Sequence, residues 1–260
     1  MSNTVLLCPP TYFDVEYSIN PWMQGEIVNK ALAMQQWFEM KNILELLGAH
    51  VKLIGQDSTL PDMVFTANAG TVRGNHVVLS NFKHEERKPE RAEFEEWFEE
   101  AGYTTYRLDD DINFEGCGDT IVNGHQMIAG YGFRSDLKGL RRAAEILDLD
   151  LISLKLKNPN FYHLDTCFCL LREDLALYYP GAFSKHTIAK IKDIELIPVS
   201  DEAAHDFVCN SIVYKDNVLM PSPNDETAAL VEGLGFDVHQ INTSEFLKSG
   251  GSLQCMSLWI

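Results

Sequence analysis

Four stretches of like pattern open at Phe65, Phe114, Tyr162 and Cys209, spaced 49, 48 and 47 residues apart. An internal period of this length constrains the fold more than any local propensity, because each unit must bury its apolar face against its neighbours. The stretches read "VFTANAGTVRGNHVVLS", "NFEGCGDTIVNGHQMIAGY", "YHLDTCFCLLREDLALYYP" and "CNSIVYKDNVLMPS". Each has a polar or Gly-containing lead-in, an apolar strand, a short turn carrying Gly, Asn, Asp or Glu, and a second strand. That order predicts a β-hairpin.

Helical patterns lie between the hairpins: "KPERAEFEEWFEEAG", "SDLKGLRRAAEILD" and "NDETAALVEGLG". In the first, Phe94, Trp97 and Phe98 make an apolar stripe at i, i+3 and i+4, and Gly102 ends it. A short strand follows each ("TTYRLD", "DLISLKL", "DVHQIN"), so the unit is hairpin, helix, strand. A fifth unit needs both ends of the chain. "SLQCMSLWI" supplies one hairpin arm and "TVLLCPP" the other, followed by the helix "GEIVNKALAMQQWFEMKNILELLG" and the strand "HVKLI". The expectation is one α/β domain over residues 1–260, a ring closed by its termini so that no seam is left open. An ordinary α/β sandwich with coincidental spacings is the alternative. The ring would gather its lead-in segments around one central cavity.

Composition excludes several classes. The 260 residues are 45% hydrophobic and 23% charged, without a run long enough to span a membrane. "MSNTVLLCPP" lacks a basic n-region, so no secretory leader is expected and the chain reads as cytoplasmic. The six cysteines lie mostly in apolar runs without zinc-finger spacing, so reduced core thiols are expected rather than disulfides or a structural metal site. A formal charge of −17 disfavours nucleic acid and anionic membranes as partners and suits a small, cationic substrate. Homo-oligomer formation is left open.

The lead-ins hold polar residues that hydrophobic patterning does not explain: Asp62 and Asn68, Glu115 and Asp119, His163 and Asp165, with Cys255 in "GGSLQCMSL". A lone histidine or buried thiol would carry little weight. Their equivalent places in different repeats would make them converge. A thiolate is a strong nucleophile near neutral pH, and an imidazole can take and return protons there. Asp165, two residues beyond His163 on an expected strand, would point to the same side and hold the ring. Cys255 is likewise expected inside a strand-like run. Paired carboxylates match a planar guanidinium, so the set suggests thiol attack on a guanidinium carbon.

"MVFTANAG", "FEGCGD", "HLDT" and "GGSLQCMSL", in order along essentially the whole chain, resemble the motifs of the guanidine-modifying enzyme superfamily. That group holds arginine deiminases, dimethylarginine dimethylaminohydrolases, amidinotransferases and arginine dihydrolases. The resemblance implies a five-bladed α/β propeller (pentein) of ββαβ repeats with pseudo-fivefold symmetry. It implies Cys255 as nucleophile, His163 as general acid and base, a covalent thiouronium intermediate, and no metal or organic cofactor. By position, Glu115 would bind the guanidinium, Asp165 would contact it or hold His163, and Asp119 would add negative charge. Arg134 in "GYGFRSD" and Arg87 in "EERKPE" resemble arginines that hold the substrate α-carboxylate, and Asp62 stands where related hydrolases have an acid.

One position departs from many of these relatives. Asn68 in "FTANAG" stands where they carry aspartate, and an amide binds the cation less strongly but can hydrogen-bond a neutral ureido oxygen. This resembles the arginine dihydrolase subgroup, in which citrulline stays bound and is attacked again to give ornithine, two ammonia and carbon dioxide. Dimethylarginine hydrolysis, arginine deimination and amidinotransfer are the alternatives. A non-catalytic relative, like the ribosome-binding initiation factor of the same architecture, fits less well with an intact Cys, His and Glu set.

Overall fold

The computed structural model describes residues 3–260. Met1 and Ser2, which open the stretch read for a leader, lie outside the described residues.

Among the described residues the strands form five three-stranded sheets of one design. In each, the middle strand pairs antiparallel with one neighbour and parallel with the other. Gly70–Arg73, His76–Leu79 and Thr104–Tyr106 make the first complete sheet in chain order. Thr120–Asn123, Gln126–Tyr131 and Asp150–Lys155 repeat it. So do Phe168–Arg172, Leu175–Tyr178 and Glu195–Pro198, then Ile212–Tyr214, Asn217–Ser222 and Asp237–Asn242. The remaining sheet joins the two ends of the chain: Thr4–Leu7 runs antiparallel to Leu258–Trp259 and parallel to His50–Leu53.

A parallel return needs a crossover, and helices supply it. Lys30–Leu46, Glu90–Glu100, Leu137–Ile146 and Asp225–Gly233 do so at full length, while the unit of Phe168–Arg172 has only the turn Lys185–Ile188. The stripe read in the sequence is the one that packs: Phe94 and Phe98 are fully buried, while Trp97 is half-buried and donates to Leu53 O at 3.2 Å. On Lys30–Leu46 the buried positions are Ala33, Gln36, Trp37, Met40 and Leu44, a 3–4 spacing that lays one face on the core. That helix starts five residues later than "GEIVNK" suggested. Gly25 has φ +78°, and the Asn29 side chain caps the helix by accepting from Leu32 N at 3.1 Å.

The lead-ins are tight helical turns: Pro61–Val64, Thr66–Ala69 and Leu164–Thr166 are 3₁₀, and Gly116–Asp119 is one α-turn. Buried polar links stitch neighbouring units through them. Thr71 and Thr120 meet at 2.5 Å through their hydroxyls. Thr66 Oγ1 donates to Leu6 O at 3.0 Å and Met256 O at 2.9 Å. Two expectations fail in these turns. Cys255 lies in the turn 253–256 rather than in a strand, because Met256 N bonds back to Ser252 O and Leu253 O; pairing begins only at Leu258. Asp165 lies in a 3₁₀ turn, not a strand, and this changes its partner. Among the described residues no helix is long and apolar enough to cross a membrane.

Candidate active site

The turn after Tyr162 sets the first geometry. His163 is extended and the 3₁₀ turn Leu164–Thr166 begins just after it, so the same-side rule for residues two apart on a strand does not carry over to Asp165. The imidazole is held instead by Glu115, whose Oε2 lies 2.8 Å from His163 Nε2. The same oxygen accepts from Arg134 Nη1 at 3.0 Å, and Glu115 Oε1 accepts from Lys83 N at 3.2 Å. Glu115 is fully buried, which alone would raise its pKa. Arg134 and the His163 hydrogen bond overcome burial and hold it well below the usual carboxylate range. A carboxylate held ionised is thus bound to the His163 ring, and both its oxygens accept hydrogen bonds within the protein.

The Cys255 thiol is held from the other side. Cys255 N donates to Asn210 Oδ1 at 3.1 Å, Asn210 Nδ2 donates to Cys255 Sγ at 3.1 Å, and Sγ lies 3.2 Å from Asp165 Oδ2. Burial, then the Asp165 charge, push the thiol pKa well above its ordinary value. Burial also raises Asp165 to about 7, opposed by its bonds from Cys255 and Asn210. Asp165 Oδ1 is buried with no hydrogen-bond partner. A cation arriving beside this pair would lower both values and favour the thiolate.

His163 and Cys255 face one narrow cavity of about 10 Å³, together with Asp62, Asn68, Arg87 and Arg134. Glu115, Asp119 and Asp165 stand behind that wall. Asp119 does not reach it: one oxygen accepts from Ser135 N at 3.1 Å and the other from Leu164 N at 3.2 Å, which fixes the loops carrying Arg134 and His163. Asp165 borders a second, apolar cavity with Phe168 and Val213.

Neither arginine is a solvated surface charge. Arg134, 3% exposed, stacks on the Tyr162 ring at 4.5 Å and donates to Ile19 O at 3.1 Å. Arg87, equally buried, is paired through Nε and Nη2 with Glu90 and through Nη1 with Asn68 Oδ1 at 2.9 Å. Asp62 accepts from Tyr17 OH at 2.8 Å and Ser249 Oγ at 3.1 Å.

Two glycines let these walls close. A Cβ on Gly118 would sit 2.2 Å from Asn68 Nδ2 and 3.1 Å from His163 Nδ1, and one on Gly251 would sit 2.3 Å from the Phe65 ring. Gly118, Asn210, Glu90 and the segment around Ile19 were not singled out in the sequence. Asn210 had a signal, since it follows Cys209 at the start of the fourth repeat. The Ile19 segment had none, because it lacks any period. Among the described residues no cluster of His, Cys, Asp or Glu is arranged to hold a metal ion.

Residues 14–260 match the family described as N,N dimethylarginine dimethylhydrolase, eukaryotic. The chain is 41% identical to the bifunctional arginine dihydrolase/ornithine cyclodeaminase AgrE of Nostoc sp., over 97% of this chain and 37% of that protein. It therefore spans little more than a third of that relative's length. It is 36% identical to N(G),N(G)-dimethylarginine dimethylaminohydrolase of Mycobacterium tuberculosis, over 98% of this chain and 84% of the relative. The crystal structure of the product-bound N-terminal domain of ArgZ, a cyanobacterial arginine dihydrolase, superimposes with a TM-score of 0.95 at 41% identity, covering 98% of this chain and 96% of that one.

Proposed function

Because the chain belongs to the N,N-dimethylarginine dimethylhydrolase family, we propose that it is a cysteine-dependent hydrolase of guanidino C–N bonds that converts arginine to ornithine, two ammonia and carbon dioxide. The observation that carries this reading is the neutral Asn68 amide, anchored by Arg87 and turned with its NH₂ group beside His163. An amide donor serves the oxygen of a ureido group, so the first product can be held for a second attack. The likeness to AgrE and ArgZ supports the same choice.

The five sheets are read as blades of a five-bladed α/β propeller, a single domain over 1–260 closed by the pairing of Thr4–Leu7 with Leu258–Trp259. A cytoplasmic setting, where thiols stay reduced, suits its six free cysteines.

In this reading the guanidinium lies in the cavity beside Asn68 and Cys255, and its charge offsets the Asp165 carboxylate behind the thiol as Cys255 ionises. Arg134, and the one Arg87 N–H not used within the protein, face the α-carboxylate, with Asp62 close to the α-amino group. Sγ attacks the guanidino carbon and His163 protonates the departing ammonia, leaving a thiouronium on Cys255. Water, deprotonated by His163, releases the thiol and leaves citrulline. A second attack expels ammonia from the ureido carbon and forms a thiocarbamate. Its hydrolysis gives the carbamate of ornithine, which loses carbon dioxide. Two waters enter and the atoms balance.

The family description and the Mycobacterium tuberculosis relative favour dimethylarginine as the second reading. Incubation with arginine, monomethylarginine, dimethylarginine and citrulline, with mass-spectrometric identification of products, decides between them. Arginine should give ornithine, and release of citrulline from dimethylarginine alone would overturn the choice. Cys255→Ala should abolish turnover, and His163→Ala should lower it by about 10²–10⁴-fold with the fold intact.

A further inference from the structure

Glu90 lines no part of the cavity that holds His163 and Cys255, yet it is fully buried at the first position of the helix Glu90–Glu100. A buried carboxylate needs partners. The helix N-terminus favours its charge, and Arg87, three residues earlier, meets it with two parallel bonds of 2.8 Å, Nε to Oε1 and Nη2 to Oε2. This fork fixes the plane of the guanidinium. The other edge of the same plane is then aimed: Nη1 donates to Asn68 Oδ1 at 2.9 Å, and Nη2 also donates to Asp62 O at 3.2 Å. The ring of Phe82, 4.7 Å from the guanidinium carbon, packs against its face.

A guanidinium only donates, so the Asn68 atom that meets it has to be the oxygen. The amide orientation is thereby set by charge two residues away. Its NH₂ group is turned to the opposite side, against Gly118 and the His163 ring, within 3.5 Å of Glu115 O. Without the anchor, the amide could rotate and present an acceptor there instead, which repels a ureido oxygen.

We propose that Glu90 is a positioning residue for the second hydrolytic step, locking Arg87 so that Asn68 holds its NH₂ group toward the bound ureido intermediate. The proposal rests on the dihydrolase reading. The guanidinium cation of the first step is also drawn by the negative charge of Asp165 behind Cys255, so it depends less on this amide. The ureido group is neutral and has lost that attraction. Loosening Asn68 therefore raises the chance that citrulline escapes before its second attack.

The test uses the full chain carrying Glu90→Gln, Arg87→Met, or both, with citrulline and ornithine quantified from arginine and folding checked by thermal melting. Gln keeps the shape of Glu90 but sets an NH₂ group against one of the two Arg87 donors. The citrulline fraction should rise about tenfold or more over wild type, the loss expected when a charge-assisted hydrogen bond is broken. All three variants should share that rise, because they break one chain at different links. A merely structural role would lower both products alike and leave their ratio unmoved. A folded Glu90→Gln with the wild-type ratio overturns the proposal. Should Glu90→Gln fail to fold, the double variant decides: it supports the proposal by matching Arg87→Met with raised citrulline, and overturns it by differing from Arg87→Met or keeping the wild-type ratio. Wild type releasing only citrulline would overturn the dihydrolase reading and this proposal with it, whereas wild-type ornithine with unchanged variants overturns this proposal alone.

Discussion

At the scale of single residues, Asp165 carries a cost that its position imposes. Its folded pKa is raised by burial from 3.8 to about 7, so the native state holds a proton that the unfolded chain gives up. Stability from this group is present below about pH 4 and is lost as pH rises through about 7. Asp165→Asn removes that dependence. The variant should melt higher than wild type at pH 8 and gain much less at pH 5; an equal shift at both would place the charge elsewhere. The same variant should lose roughly tenfold to hundredfold in kcat/KM for arginine, the loss expected for a hydrogen bond to a cation. That Cys255 and His163 meet at one cavity was legible in the sequence because they hold equivalent places in different repeats. Their partners were not. The i, i+2 rule for strands paired His163 with Asp165, and a 3₁₀ turn gave the ring to Glu115 and Asp165 to the thiol.

The elements that carry these side chains are lead-in turns, and their closeness depends on what is missing from them. The turn Gly116–Asp119 packs against Thr66–Ala69 with Gly118 directly under Asn68. Gly118→Ala puts a methyl group where Asn68 Nδ2 now lies. Turnover should fall at least about tenfold, since small misplacements at a reacting centre are costly. A melting temperature near that of wild type should accompany the loss, and retained activity would contradict the packing. Hairpins and crossover helices were legible because turn residues and the 3–4 period are local signals. The turn at Cys255 was not, because its apolar neighbours face the core through tertiary contacts that no alternation records.

For the whole molecule, the period of the repeat foretold that both ends belong to one sheet, and Leu6 pairs with Leu258 as that required. What lay beyond the period, such as the covering of the cavity by the Ile19 segment, had no periodic trace. Removing Leu258–Ile260 deletes the buried Leu258 and the bond from Ile260 N to Thr4 O at 3.0 Å, just downstream of Cys255. Lost core side chains of this kind should lower the melting temperature by roughly 10 °C or more. An unchanged melting temperature would mean that the closing pair is dispensable. Conversion of arginine to ornithine at this site requires that one bound arginine be attacked twice. The most direct measurement is turnover of arginine labelled at its guanidino carbon in a large pool of unlabelled citrulline. The account predicts that the label leaves as carbon dioxide, with two ammonia and one ornithine per arginine, and does not appear in the pool. Labelled citrulline accumulating there, with one ammonia per arginine, would contradict it.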